Sequence, residues 1–493
     1  MKKTKNYIMA SIIVLFVSIM LGSCNEKSNP SEDKNEIEDV YNVSYEGFIY
    51  DIIDGKAICD GYEGTPETIN IPSYITYEDY ENIEFEVVKI NGYAFQDCSS
   101  LISITIPDSI TSIGSYAFVG CSSLTSVTIP DSVTDVGSNA FEYCYNLVYN
   151  VENNGKYLGN ENNPYLVFIS PTSENITTCE INKNARVIAG GAFEFCEDLK
   201  SVKIPDSVIT IGNASFHGCT SLTSAEIPDS VTELGALAFK DCTSLNVVNF
   251  SELNKIKRIN NFTFEGCSSL TSFDIPYPVT SIGISAFSGC TNLKYVSIYD
   301  SVTFVDEDAF AGCDNLIYNT YENCNYLGNE GNPYLILMGP VSKDIDALET
   351  HEKTKVIACG AFYNCVNLRS VIISDLVTAI YDSTFADCHF LTTVKLGASI
   401  TSIGYNAFYN CVSLESIVIP SSLMIIDQAA FYKCNKLKNI YYKALSTDWS
   451  NVTILNNNSP FTTATIYFYS DTKPAKEGNF WHYADDSRVP IIW

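Results

Sequence analysis

The stretch CSSLISITIPDSITSIGSYAFV, residues 98–119, decides the fold. Leu101, Ile104 and Ile106 form a strand-like apolar series with polar residues between them. Pro107, Asp108 and Ser109 then supply turn chemistry, because proline presets φ and Asp and Ser bond nearby backbone. Ile110 and Ile113 make a second short extended piece. Gly114 is read as a tight bend, and Ala117 and Phe118 turn back inward. No part of the stretch carries a sustained 3.6-residue period, so any helix is a turn or less.

The same unit recurs at a fixed interval. Cys98, Cys121 and Cys144 are evenly spaced, and the same step separates Cys196, Cys219 and Cys242, and Cys267, Cys290 and Cys313. Cys365, Cys388, Cys411 and Cys434 continue the series. The steps Cys144 to Cys196 and Cys313 to Cys365 are longer, and equal to each other. Each is a 29-residue unit followed by one ordinary unit with serine (Ser173, Ser342) in the cysteine column. Residues 98–433 thus hold 14 units. One unit cannot bury its own apolar side, whereas stacked copies bury columns of Leu, Ile and Phe. The prediction is a β-rich solenoid of about 14–16 rungs with little helix. At about 4.8 Å between strands it is roughly 70 Å long.

This unit resembles the 23-residue BspA-like (Treponema pallidum-type) leucine-rich repeat, over residues 87–445. Residues 45–97 read as an opening cap and a degenerate first repeat, with Asp54-Gly55 as a hairpin turn. Residues 434–493 read as the last repeat and an aromatic cap; within them, 461–493 resemble the family's terminator, and Trp449, Trp481 and Trp493 are expected to seal the last rung. The resemblance implies a secreted or surface protein without enzymatic activity, and some such proteins bind extracellular matrix, host proteins or other microbes.

Residues 1–23 fit that setting. Lys2, Lys3 and Lys5 precede an apolar run from Ile8 to Leu21, too short for a comfortable membrane span. Leu21-Gly22-Ser23-Cys24 resembles a bacterial lipobox, which implies cleavage before Cys24 and acylation of its sulfur. Residues 24–44 read as the acylated cysteine and an acidic tether, like those of surface lipoproteins of the Bacteroidota.

Composition excludes several functions. The chain has 493 residues and a net charge of −29. It therefore repels phosphate backbones and acidic membranes, so nucleic acid is not an expected partner and the lipid is the only expected membrane contact. Four histidines leave little room for histidine chemistry. His351-Glu352 begins like a zinc-protease motif, but Lys355 stands where the second histidine belongs. Equally spaced cysteines form a line rather than four converging zinc ligands, so they read as buried thiols. Cys59 and Cys179 read as core, and Cys324 and Cys359 as loop or turn positions. The turn aspartates Asp108, Asp131, Asp206, Asp229, Asp300 and Asp375 read as caps of their own turns. No metal or cofactor is expected.

Two features remain as candidate contact surfaces. The lengthened units carry extensions, near 145–172 and 314–341, that contain KYLGNENNPYL and NYLGNEGNPYL. They read as protruding hairpins that expose Tyr157, Tyr165, Tyr326 and Tyr334, the aromatic platforms a polysaccharide would need. The other is the outward face of the first strand in each unit. Early copies are bland Ser/Thr pairs, whereas later ones carry Lys200, Lys203, Lys294, Tyr295, Arg369, Lys395 and Lys438. The preferred reading is adhesion to a host or microbial protein through this face, with glycan capture as the alternative.

Overall fold

The computed structural model describes residues 38–493 except 78, 81, 82, 252, 476, 477 and 485–489. It is a β-solenoid of about 16 turns. Each rung contributes a strand of three or four residues, such as Ser103–Thr105 or Ser126–Thr128, and a second of two residues, such as Ser112–Ile113 or Asp135–Val136. Through most of the body both pair in parallel with the next rung at the repeat's own shift, Ser103 with Ser126 and Ser112 with Asp135. The shift changes at the first extension, where Val167 pairs with Val187, and near the end, where Ile425 pairs with Thr453. The third side has no strand, yet it is also a ladder. The N–H groups of Tyr93, Phe95 and Asp97 donate to the carbonyls of Ser115, Ala117 and Val119 in the following rung.

That third side turns through two left-handed residues per rung, as at Tyr116 and Gly120, Leu237 and Asp241, or Ala429 and Lys433. Gly114 is not among them. Its role is close approach, not a bend: a Cβ there would lie 2.4 Å from the Gly92 nitrogen in the rung before.

The apolar columns close the interior. Leu101, Ile104, Ile110, Ile113, Ala117 and Phe118 are all buried. Phe95, Phe118 and Phe141 stack ring on ring at 5.2 Å, and Phe193, Phe216 and Phe239 follow at 5.0 and 5.1 Å. Offset stacking of this kind adds to the burial of each ring. The cysteine column is more than filler. Ten of its thiols, among them Cys121, Cys242 and Cys411, donate to the carbonyl of the phenylalanine in the preceding rung, at 3.0–3.3 Å. Burial pushes the Cys290 and Cys388 thiols well up, so they stay protonated donors. Ser173 and Ser342 do not take over that place, because both are exposed. Cys324 is not in a loop but in the buried strand Cys324–Leu327, and Cys359 bonds Asp306.

The two extensions correct the expectation of protruding fingers. In the first, Asn150–Glu152, Gly155–Leu158 and Val167–Pro171 form an antiparallel sheet whose last strand joins the parallel ladder at Val187–Ile188. The second repeats this with Asn319–Tyr321, Cys324–Leu327 and Ile336–Pro340. Tyr157 and Tyr326 are fully buried. Their hydroxyls accept the backbone N–H of Asn182 and His351, which satisfies the buried oxygen. Tyr157 faces one core cluster and Leu158 the other, so strict alternation buries both because both faces of this strand are covered. Tyr165 and Tyr334 are half-buried, packed edge-on against these two rings. The extensions are splices that divide the core into three successive clusters.

Both ends are closed. At the start, Val40–Tyr45, Phe48–Ile53 and Lys56–Tyr62 form an antiparallel cap, with Asp54 and Gly55 left-handed at its second turn. The cap thus begins at Val40, inside the stretch read as tether. At the end, Phe461 extends the phenylalanine column by stacking on Phe431 at 4.6 Å, and Trp449 covers it. Trp481 does something else. It folds over the outward strand face, against Val418 and Tyr441, and donates its indole N–H to the Tyr442 carbonyl at 3.0 Å. Trp493 stacks on His482 at 3.8 Å.

Candidate functional site

The outward strand face carries most of the residues singled out from the sequence. Lys200, Lys203, Lys294, Arg369 and Lys438 are exposed, and Tyr295 is 61% exposed. They share a face but do not gather into a basic patch. Glu180, Glu226 and Asp274 lie among them, also exposed. Lys203 pairs with Glu180 at 2.5 Å across adjacent rungs, an exposed pair of little energetic weight. Arg369 lies over the Phe390 ring at 5.5 Å. Lys395 is half-buried beside Tyr483 at 5.7 Å, so the C-terminal hairpin covers that part of the face. Cys24 lies outside the described residues. No group of three or more His, Cys, Asp or Glu is arranged to hold a metal among the described residues. Four of the six turn aspartates bond to neighbouring segments: Asp131 accepts from Asn160, Asp229 from Ser251, Asp300 from Asn329 and Lys355, and Asp375 from the Ala398 N–H.

A cleft of about 990 Å³ opens where this face meets the loop of the second extension. One wall is the strand pair Ser272–Asp274 and Tyr295–Ser297, and the other is the loop 328–333. The loop is held rigidly. Asn329 donates to the Ile298 carbonyl at 2.8 Å and to Asp300, and its Oδ1 accepts the N–H groups of Gly331 and Asn332. A Cβ on Gly328 would meet the Asn332 carbonyl at 2.0 Å, so only glycine closes this turn. Lys355 pairs with Asp300 at 2.8 Å and holds its carboxyl below the usual carboxylate range.

Three tyrosines stand around the opening. Tyr277 is 69% exposed and Tyr299 42% exposed, and their rings meet edge to face at 6.0 Å. Tyr295, on the strand Tyr295–Ser297, lines the same cleft and is exposed. Only Tyr295 was singled out from the sequence. The signal for the others was present: Tyr277 replaces the aspartate, and Tyr299 the proline, of the Pro-Asp-Ser turn.

The first extension builds the same frame nearer the N-terminus. Asn160 donates to the Ile129 carbonyl at 3.0 Å and to Asp131 at 2.8 Å, and Gly159 has the same close approach. Yet the positions of Tyr277, Tyr295 and Tyr299 are there Asp108, Ser126 and Pro130, and that of Asp274 is Thr105. The frame is therefore shared, and the aromatic opening belongs to the second copy alone.

His217 escaped sequence reasoning. It lies between Glu194 at 3.1 Å and Asp241 at 3.5 Å, contributed by the rungs on either side. Burial pushes its imidazole down, but hydrogen bonds to Asp241 and Glu194 outweigh this and raise it to about 9.

Parallel ladders around a leucine, isoleucine and phenylalanine core define a leucine-rich-repeat solenoid with a wide cleft on its strand face. The chain belongs to the BspA type leucine rich repeat region family, which it matches in six copies over residues 68–162, 168–264 and 346–468. It is similar to a leucine-rich repeat protein from Bacteroides ovatus, at 24% identity over 87% of this chain and 100% of that one, with a TM-score of 0.29. It is also similar to a leucine rich cell surface protein from Faecalibacterium prausnitzii, at 26% identity over 85% and 98%, with a TM-score of 0.28. A leucine rich repeat protein of T. pallidum matches at 23% identity over 51% and 90%, with a TM-score of 0.23. No curated protein matches the chain.

Proposed function

We propose that the chain is a non-enzymatic binding protein, held at the outer membrane by a lipid on Cys24 and displayed at the cell surface. Its strand face, from the first rungs to Arg369, engages an extracellular host or microbial protein. The observation that carries this reading is constancy beneath variation. Rung after rung repeats one backbone and one core, while the outward columns change from Ser103 and Ser126 to Lys203, Lys294, Tyr295 and Arg369. Such a face is ordered before binding, so many weak contacts lose little conformational freedom on association. Lys395 drops out of the proposed contact set, because the C-terminal hairpin occupies its surroundings.

The test is a binding screen of the full chain, purified in detergent, against host matrix proteins. Saturable binding that weakens when Lys200, Lys203, Lys294 and Arg369 become serine supports the reading. Binding unchanged by those substitutions moves the site off this face. Anchoring is tested separately: Cys24→Ala abolishes incorporation of labelled palmitate if the lipidation reading holds. The glycan alternative loses its original platforms, since Tyr157 and Tyr326 are buried.

A further inference from the structure

We propose that the cleft between the strand face and the second extension binds a neutral oligosaccharide. Its size lies at the upper end of the range for small-ligand sites, about 300–1,000 Å³. Three exposed tyrosine rings, carried on strand and turn backbone, offer apolar faces to sugar rings. Between them stand groups that suit hydroxyls. Asp274 and Glu330 accept hydrogen bonds, while Ser272, Ser297 and the three phenols both donate and accept. A sugar hydroxyl also does both, so it can meet either kind. The lining includes three acids and no lysine or arginine, which disfavours sulfated, sialylated or uronic glycans.

The internal duplicate supplies the control. Loop 159–164 and its asparagine frame are built the same way, yet its opening has no tyrosine. Inheritance of a fold accounts for the frame, which both copies hold. It does not account for three tyrosines at turn and strand positions where the fold tolerates Asp108, Ser126 and Pro130. Exposed rings grouped together and rimmed by polar residues, as Tyr277 and Tyr299 are at 6.0 Å, are the kind of patch that marks a contact site. This inference stands on the cleft alone, and the strand-face reading can fail without affecting it.

The experiment uses the full chain in detergent, applied to an array of neutral and acidic glycans, with the strongest neutral hit titrated by calorimetry. The comparison variant Tyr277→Asp/Tyr295→Ser/Tyr299→Pro restores the residues that the first copy carries on the same backbone. Neutral-glycan binding weakened at least about tenfold, with thermal unfolding unchanged, is the expected result. Should the triple variant misfold, Tyr295→Ser alone tests the same point. The reverse graft, Thr105→Asp/Asp108→Tyr/Ser126→Tyr/Pro130→Tyr, raises the stoichiometry from one to two. The proposal is overturned by no neutral-glycan binding at all, or by binding that survives the triple variant. It is equally overturned by preference for a Lys/Arg-rich decapeptide that salt abolishes, which would make the cleft a basic-peptide site.

Discussion

Replacing Phe239 with alanine tests how a rung is held. Phe239 is fully buried and stacks on Phe216 at 5.1 Å and Phe264 at 5.6 Å, both within 4° of parallel. Deleting such a side chain costs about 3–5 kcal/mol, from lost transfer energy and the cavity left behind. Each ring pair contributes about 0.5–1.5 kcal/mol beyond buried area. Phe310 provides the internal reference. It is also buried but has one stacked neighbour, Phe287 at 5.2 Å, because the second extension follows it. Phe310→Ala should therefore cost about 1 kcal/mol less than Phe239→Ala. The effect should also be local, since each rung of a solenoid touches only its neighbours. Urea unfolding gives the total, and hydrogen exchange gives the place. Protection is expected to fall around residues 216–264 and persist around 371–440. A loss below about 1.5 kcal/mol, or a uniform drop along the chain, would refute column stacking as the source of rung stability.

Three further outcomes follow from particular side chains. His217 has its folded pKa raised to about 9, so its contribution is full below the unfolded value near 6.5 and fades as pH rises through 9. Denaturation midpoints of wild type and His217→Gln should converge between pH 7 and pH 10, the gap below that being at most about 3.5 kcal/mol. Asp382 runs in the same direction over a lower window: burial, then Asp427, Asp306 and Glu307, push its carboxyl up to about 6, so stability is lost as pH climbs from 4 through 6. Asp382→Asn should stabilise the protein at pH 7 and flatten this dependence, because Asn213 and Asn261 already accept the same backbone N–H in their rungs. Gly114→Ala forces a Cβ to 2.4 Å from the Gly92 nitrogen and should cost about 1–3 kcal/mol, read by thermal unfolding.

The period was legible because a solenoid writes its core into the sequence at one interval. Leu101, Ile104, Ile113 and Phe118 each announce a column, and all are buried. The turn at Asp54-Gly55 was legible from local backbone preference alone. What escaped depends on contacts between rungs. Gly114 looks like a bend in one unit, and only the neighbouring Gly92 reveals close approach. The cysteine column reads as small and apolar until ten of its thiols meet a carbonyl one rung back. Tyr157 and Tyr326 sit in stretches rich in Asn, Gly and Pro, where exposure is the natural reading. Strand pairing with Val167–Pro171 and Ile336–Pro340 pulls them inside. The cleft was partly legible, since two of its tyrosines break the turn pattern, but which wall they face is set by the extension folding back.

The splices also bear on how such a gene can change length. Residues 156–166 and 325–335 are near copies that end in matching sheets and pack against the core on both sides. A crossover between them removes residues 159–327 and leaves Leu158 followed by Gly328, a junction with the same Tyr-Leu-Gly-Asn sequence as either parent. No ladder loses its register, because the incoming strand meets the same kind of rung. The shortened product would keep both caps and lose Tyr277, Tyr295 and Tyr299 together. An unequal exchange in the other sense would duplicate them. Recombination at this seam thus varies rung number and cleft number as a single unit, without passing through an unfolded intermediate form of the protein.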